Sequence, residues 1–95
     1  MADHHSIMRT RIEVASFYRR NGAYMVSMSP EVPGWDDLTP HDIFDCAGSL
    51  KTARTAATDM ANGLGCEGPY RVTKDDKLWR CFGYAFVDVY WDDES

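Results

Sequence analysis

Asn21-Gly22-Ala23-Tyr24-Met25-Val26-Ser27-Met28-Ser29-Pro30-Glu31-Val32-Pro33-Gly34-Trp35 decides the reading of this chain. Asn-Gly supplies the two positive φ angles of a tight hairpin turn, and it stands between two alternating runs. On its N-terminal side, Thr10, Ile12, Val14, Ser16 and Tyr18 fall on one face of a strand. Arg11, Glu13, Ala15, Phe17 and Arg19 fall on the other, which predicts a half-buried strand. On its C-terminal side, Tyr24, Val26 and Met28 form the apolar face of an antiparallel partner. Pro30 and Pro33 end that strand, because neither can donate to a ladder.

Beyond the Pro33-Gly34 corner lies an acidic connection. Thr39 can cap a helical turn with Pro40 at its first position and Asp42 near its positive end. An extended strand through Ile43 to Cys46 fits the same residues, and the sequence leaves both open. Ser49 then opens a helix whose stripe is Leu50, Ala53, Ala56, Ala57, Met60, Ala61 and Leu64, with Gly63 and Gly65 as stop signals. Met60 and Leu64 are expected to be largely buried. A short strand near Tyr70-Arg71-Val72, a polar turn at Lys74-Asp75-Asp76-Lys77 and a long strand from Leu78 to Trp91 complete the pattern. Gly83 marks a bulge or bend in that last strand. The expectation is an α+β fold: a small antiparallel sheet in the order β-β-α-β-β, with a short extra strand or helical turn within 36–46 and the main helix on one face. Residues 1–9 read as a mobile leader, 10–91 as one domain and 92–95 as an acidic tail.

At 95 residues the chain has room for one core. Its longest apolar run is far short of the roughly 20 residues that span a bilayer, and the N-terminus has no apolar signal-peptide core. Three cysteines at irregular spacing make neither a disulfide framework nor a zinc knuckle, and are read as small core hydrophobes. A cytoplasmic location follows as the default expectation.

Strand, Asn-Gly turn, Tyr-x-Val strand, Pro-Gly corner and small-residue helix together resemble the N-terminal domain of HicB-type antitoxins. The matching residues are Gly22, Tyr24, Val26 and Ser27 in the second strand, Pro33-Gly34 at its end and Gly48-Ser49-Leu50 entering the helix, within residues 12–64. The resemblance implies a cut-down RNase H or double-stranded-RNA-binding type of fold and a partner that is a small, basic ribonuclease toxin. The connection after Pro33-Gly34 is longer and more acidic than in that family, and no DNA-binding segment follows, so operator binding is not implied. Small phage-encoded proteins, including some anti-CRISPR proteins, resemble the same compact plan.

Charge is segregated within the net −5: residues 1–30 sum to +2, 31–48 to −5, 49–80 to +2 and 81–95 to −4. Acidic segments of this kind steer encounter with a basic partner and repel nucleic acid. Trp35 beside Asp36-Asp37, with Asp42 and Asp45, and Tyr90-Trp91 beside Asp92-Asp93-Glu94, are the candidate partner-binding residues. Rings add contact area while carboxylates pair with guanidinium groups. The bland reading is a solvated acidic loop and tail, with the tryptophans covering core ends. A basic patch of Arg9, Arg11, Arg19, Arg20, Lys51 and Arg54 is the alternative, for RNA or DNA. His41 and Asp45, four apart with Asp37 and Cys46 nearby, are too sparse a ligand set to expect a metal, and no cofactor is implied. No nucleophile motif or defined acid/base pair is present. The sequence therefore predicts a non-enzymatic inhibitor of a basic nucleic-acid-handling protein, monomeric or dimeric.

Overall fold

In the computed structural model, which describes residues 3–39 and 44–92, the Asn-Gly turn is built as its residues require. Asn21 and Gly22 have φ of 53° and 79°, and they join β1 (Asp3–Arg20) to β2 (Ala23–Met28). A 3-10 turn over Trp35–Asp37 follows, then β3 (Phe44–Ala47), helix α1 (Leu50–Gly63), β4 (Glu67–Asp75) and β5 (Leu78–Asp92). The five strands form one sheet in the order β3-β2-β1-β5-β4, with every neighbouring pair antiparallel. The α+β expectation holds at that level. The element order differs, because a strand precedes the helix: the 36–46 region yields both the helical turn and the extra strand. His41 and Asp42, at the centre of the expected turn, lie outside the described residues.

Two expectations need correction. Residues 3–9, read as a leader, belong to β1 and pair with β5 all the way to Asp3↔Asp92. The alternation along β1 does not run through unbroken either. Val14 is an extra residue against β5, between the pairs Glu13↔Phe82 and Ala15↔Cys81. That bulge exchanges the faces, so Ile12 is buried before it while Ala15 and Phe17 are buried after it. Ser16 is only half-buried and Tyr18 is exposed. Met60 and Leu64 pack against the core from its margin, and the helix rests on the sheet through Ala53, Ala57 and Ala61. Methyl side chains let the helix approach closely, and the larger residues flank the contact.

The helix starts where its cap is strongest: Ser49 Oγ accepts from the Thr52 amide at 3.1 Å. Beneath it, Phe17, Val26, Met28, Ala47, Cys66 and Cys81 form the core, with Val32 of the Pro-rich corner folded against them. The Pro33-Gly34 corner ends with Gly34 at φ 78° and Trp35 half-buried. The Trp35 indole N–H donates to the Met28 carbonyl at 3.3 Å.

Gly83 fulfils its expected role for a reason of packing. Between Glu67↔Tyr84 and Arg71↔Phe82, three residues of β4 stand against this one glycine. The Tyr70 ring fills the space, and a Cβ on Gly83 would meet it at 2.5 Å. The Tyr70 hydroxyl then donates to Asn62 Oδ1 on the helix, tying β4, β5 and α1 together.

β2 accompanies β1 only from Ala15 onward, and β4 accompanies β5 only as far as Tyr84. Beyond these points the far halves of β1 and β5 continue as a two-stranded ribbon. The molecule is elongated as a result, 57 × 27 × 19 Å.

Candidate interaction surfaces

Strand pairing sorts the side chains of β1 and β5 onto two faces. On the face away from α1, Arg11 stands opposite Tyr84, Arg9 opposite Phe86 and His5 opposite Tyr90. Arg71 of β4 stands opposite Phe82 on the same face. This open face interleaves guanidinium groups with rings. Arg9 lies 3.8 Å over the Tyr84 ring centre and Arg11 4.5 Å over that of Phe82. Arg9 also pairs with Glu67 and donates to the Gly68 carbonyl at 2.8 Å, bracing the ribbon root against β4. Arg80 reaches Glu13 at 3.7 Å and Asp75 at 3.5 Å. A concavity beside the β4 irregularity is lined by Arg11, Pro69, Tyr70, Arg71, Phe82 and Tyr84.

The far half of the ribbon is different in kind. Ile7, Met8, Phe86, Tyr90 and Trp91 are all between 47% and 68% exposed. His4 stacks on Trp91 and His5 on Tyr90, with centroids 5.5 Å and 4.7 Å apart. His5 Nε2 and Asp88 Oδ1 are 2.7 Å apart. These stacks cover parts of two rings, but among the described residues no third strand or helix flanks the ribbon.

The expected acidic-aromatic residues are divided between these regions and the loop. Asp36 and Asp37 are exposed on the 3-10 turn, while Trp35 beside them holds that turn to the core. Asp45 falls within β3, opposite Val26. Tyr90 and Trp91 stand at the far end of β5, and Asp92 ends it. Asp42, Asp93 and Glu94 lie outside the described residues. The 3-10 turn follows β2, which leaves β1 at Ala15, and Trp91 pairs with His4. Eleven strand positions at about 3.3 Å each put roughly 35 Å between these levels. The described members of the two acidic groups therefore do not form one continuous surface.

The basic candidates are also scattered. Arg9 and Arg11 are on the open face, and Arg19 and Arg20 are beside the Asn-Gly turn. Lys51 and Arg54 are on α1, behind the sheet, where Arg54 donates to the Tyr70 carbonyl at 2.9 Å. Arg71, Phe82 and Tyr84 were not singled out in the sequence, because only the β4–β5 and β1–β5 registers bring them to Arg11. The exposed ribbon residues Ile7, Met8 and Phe86 were missed for a similar reason.

Burial sets the chemistry of the interior. It pushes the Cys81 thiol up to about 11 and raises that of Cys66. Burial, followed by the charges of Cys66, Cys81 and Glu67, pushes the Tyr70 phenol up to about 12. These groups stay protonated at neutral pH and act as packing and hydrogen-bonding elements, not nucleophiles. Among the described residues, no three His, Cys, Asp or Glu side chains converge as metal ligands, and no helix is long and apolar enough to cross a membrane. No family model, curated protein or solved structure matches the chain, so its fold and surfaces are the basis for assigning it a role.

Proposed function

We propose that the chain is a non-enzymatic protein-binding inhibitor that docks onto a basic nucleic-acid-handling partner through the far half of its β1–β5 ribbon. One observation carries this reading: five large apolar side chains are exposed on one ribbon, Ile7, Phe86 and Tyr90 on one face and Met8 and Trp91 on the other, and among the described residues its two outer edges are unpaired. Exposed apolar surface and open strand edges are costly features in a protein that works alone, and both are used when a partner covers them. The charge of the segment favours a basic partner. Residues 3–8 and 86–92 contain Asp3, Asp88 and Asp92 and no lysine or arginine, and the sequence continues with Asp93-Glu94. Carboxylates around aromatic anchors suit an arginine-bearing groove. A HicB-like role would make that partner a small ribonuclease, and an anti-defence role would make it a nucleic-acid-guided complex.

The test is a ribbon variant carrying Ile7→Ser, Phe86→Ser and Tyr90→Ser. Affinity capture from cells encoding the protein, followed by a binding titration with the purified basic partner, is expected to show association lost in the variant. Its thermal unfolding should stay close to wild type, because all three side chains are exposed. Retention of the partner by the variant would rule the ribbon out as the interface. Light scattering checks the competing occupant: a wild-type dimer that the variant abolishes would assign the ribbon to a second copy of the chain.

A further inference from the structure

We infer that the open sheet face carries a nucleotide-binding site, separate from the ribbon tip, for an unpaired base and the two phosphates that flank it in a single-stranded nucleic acid. The site is the concavity between β1, β5 and the irregular part of β4. Its floor is aromatic, from Phe82 and Tyr84, and its walls are cationic, from Arg11 and Arg71.

The charge pattern distinguishes these two arginines from their neighbours. Glu67 is taken by Arg9, and Glu13 and Asp75 are taken by Arg80. Among the described residues, no carboxylate pairs with Arg11 or Arg71. Two uncompensated guanidinium groups on one small concavity, in a chain of net charge −5, make a local anion site against the overall field. Guanidinium groups supply the paired N–H donors that phosphate oxygens accept. Arg11 is already held over the Phe82 ring, so little freedom is lost when a ligand arrives.

The rings decide the rest of the ligand. A free inorganic anion would use the arginines and leave Phe82 and Tyr84 idle. A base can stack on an aromatic ring or on a guanidinium plane, but only once it has left its own helix. Phe82, Tyr84 and Phe86 lie at alternate positions of β5 on this one face. Arg11 covers the first ring and Arg9 the second, so a base there stacks on the guanidinium plane or displaces it from the ring. An open, extended track of this kind fits a single strand and excludes a duplex, whose bases are already stacked.

The experiment is fluorescence anisotropy of the full chain with a labelled eight-residue single strand, a matched duplex, and AMP as competitor. Single-strand binding is expected near the weak end for such proteins, with Kd of about 1–100 µM at low salt. The slope of log K against log salt should be about −1.4, as expected for two neutralised phosphates on a single strand. Arg11→Ala and Arg71→Ala should each weaken binding about tenfold, while Arg19→Ala leaves it unchanged. Arg71 is exposed on the edge strand, so its removal tests the site without threatening the fold. Absence of binding at about 100 µM in low salt overturns the site. Equal affinity for duplex, or unchanged affinity in both arginine variants, overturns it as well. A double variant, Ile7→Ser with Tyr90→Ser, alters the ribbon and keeps Phe86; it should bind the single strand like wild type, so this site and the protein interface fail or stand separately.

Discussion

The two halves of the β1–β5 pair share the same two strands and the same antiparallel ladder, yet they are held in different ways. Around Phe17 and Cys81, β2 and β4 flank the pair and α1 covers one face, so side chains are enclosed. Around Ile7 and Phe86, the same strands have no neighbouring strand among the described residues, and large apolar groups face outward. Backbone pairing alone therefore does not make a core. Burial requires a covering layer, and a two-stranded ribbon lacking one is marginal in isolation. The ribbon is positioned by the body and left open.

Hydrogen exchange should separate the halves most widely. The slowest amides of residues 15–19 and 24–28 are expected to open only with global unfolding, and those of 5–11 and 85–91 about a thousandfold faster or more. Equal protection in both would mean that the ribbon is covered, for example by a second copy. Truncation in denaturant titrations comes next. Phe17→Ala should cost about 3–5 kcal/mol, because its ring is fully buried, whereas Phe86→Ala should stay within about 1 kcal/mol. A comparable loss from Phe86→Ala would erase the distinction between the halves.

Gly83→Ala probes the boundary between them. Its Cβ would collide with the Tyr70 ring, and about 1–3 kcal/mol of overpacking is expected. Adding Tyr70→Ala should make Gly83→Ala nearly harmless, so strict additivity of the pair would exclude this contact as the cause. The smallest effect concerns alkaline pH and the body alone. The folded chain holds the Cys81 proton up to about 11 against an ordinary 9.0, and the Tyr70 proton up to about 12 against 10.0. The unfolded chain releases both protons earlier, so this stabilisation is full below pH 9 and is lost as pH rises from 9 towards 12. Urea midpoints should fall across that window, and Cys81→Ala should blunt the first part of the decline. A midpoint flat through pH 11 would contradict the burial of these groups.

Asn21-Gly22 and Ser49 were legible because turn and cap chemistry is local. β3 was ambiguous because Phe44–Ala47 is only four residues long and follows a Thr-Pro that suits a helix start. The ribbon was invisible for a physical reason. None of residues 4–9 is buried, and their polar and apolar side chains do not alternate, so they lack the contrast that a strand pattern reports. The bulge at Val14 left no mark either, since Ile12, Val14, Ala15 and Phe17 fit either face of a regular strand. The Arg11–Phe82–Arg71 grouping depends on the pairing of three strands, and no spacing within the sequence encodes it.

The bulge at Val14 also gives the molecule an unusual route to change. Val14 is passed over in the pairing of β1 with β5, between Glu13↔Phe82 and Ala15↔Cys81. Loss of its codon would set Glu13 directly before Ala15, against the partners they already have. Arg9 and Arg11 would keep the open side, and Met8, Thr10 and Ile12 the other. The strand can thus shed a residue there without turning over, at the cost of one buried side chain.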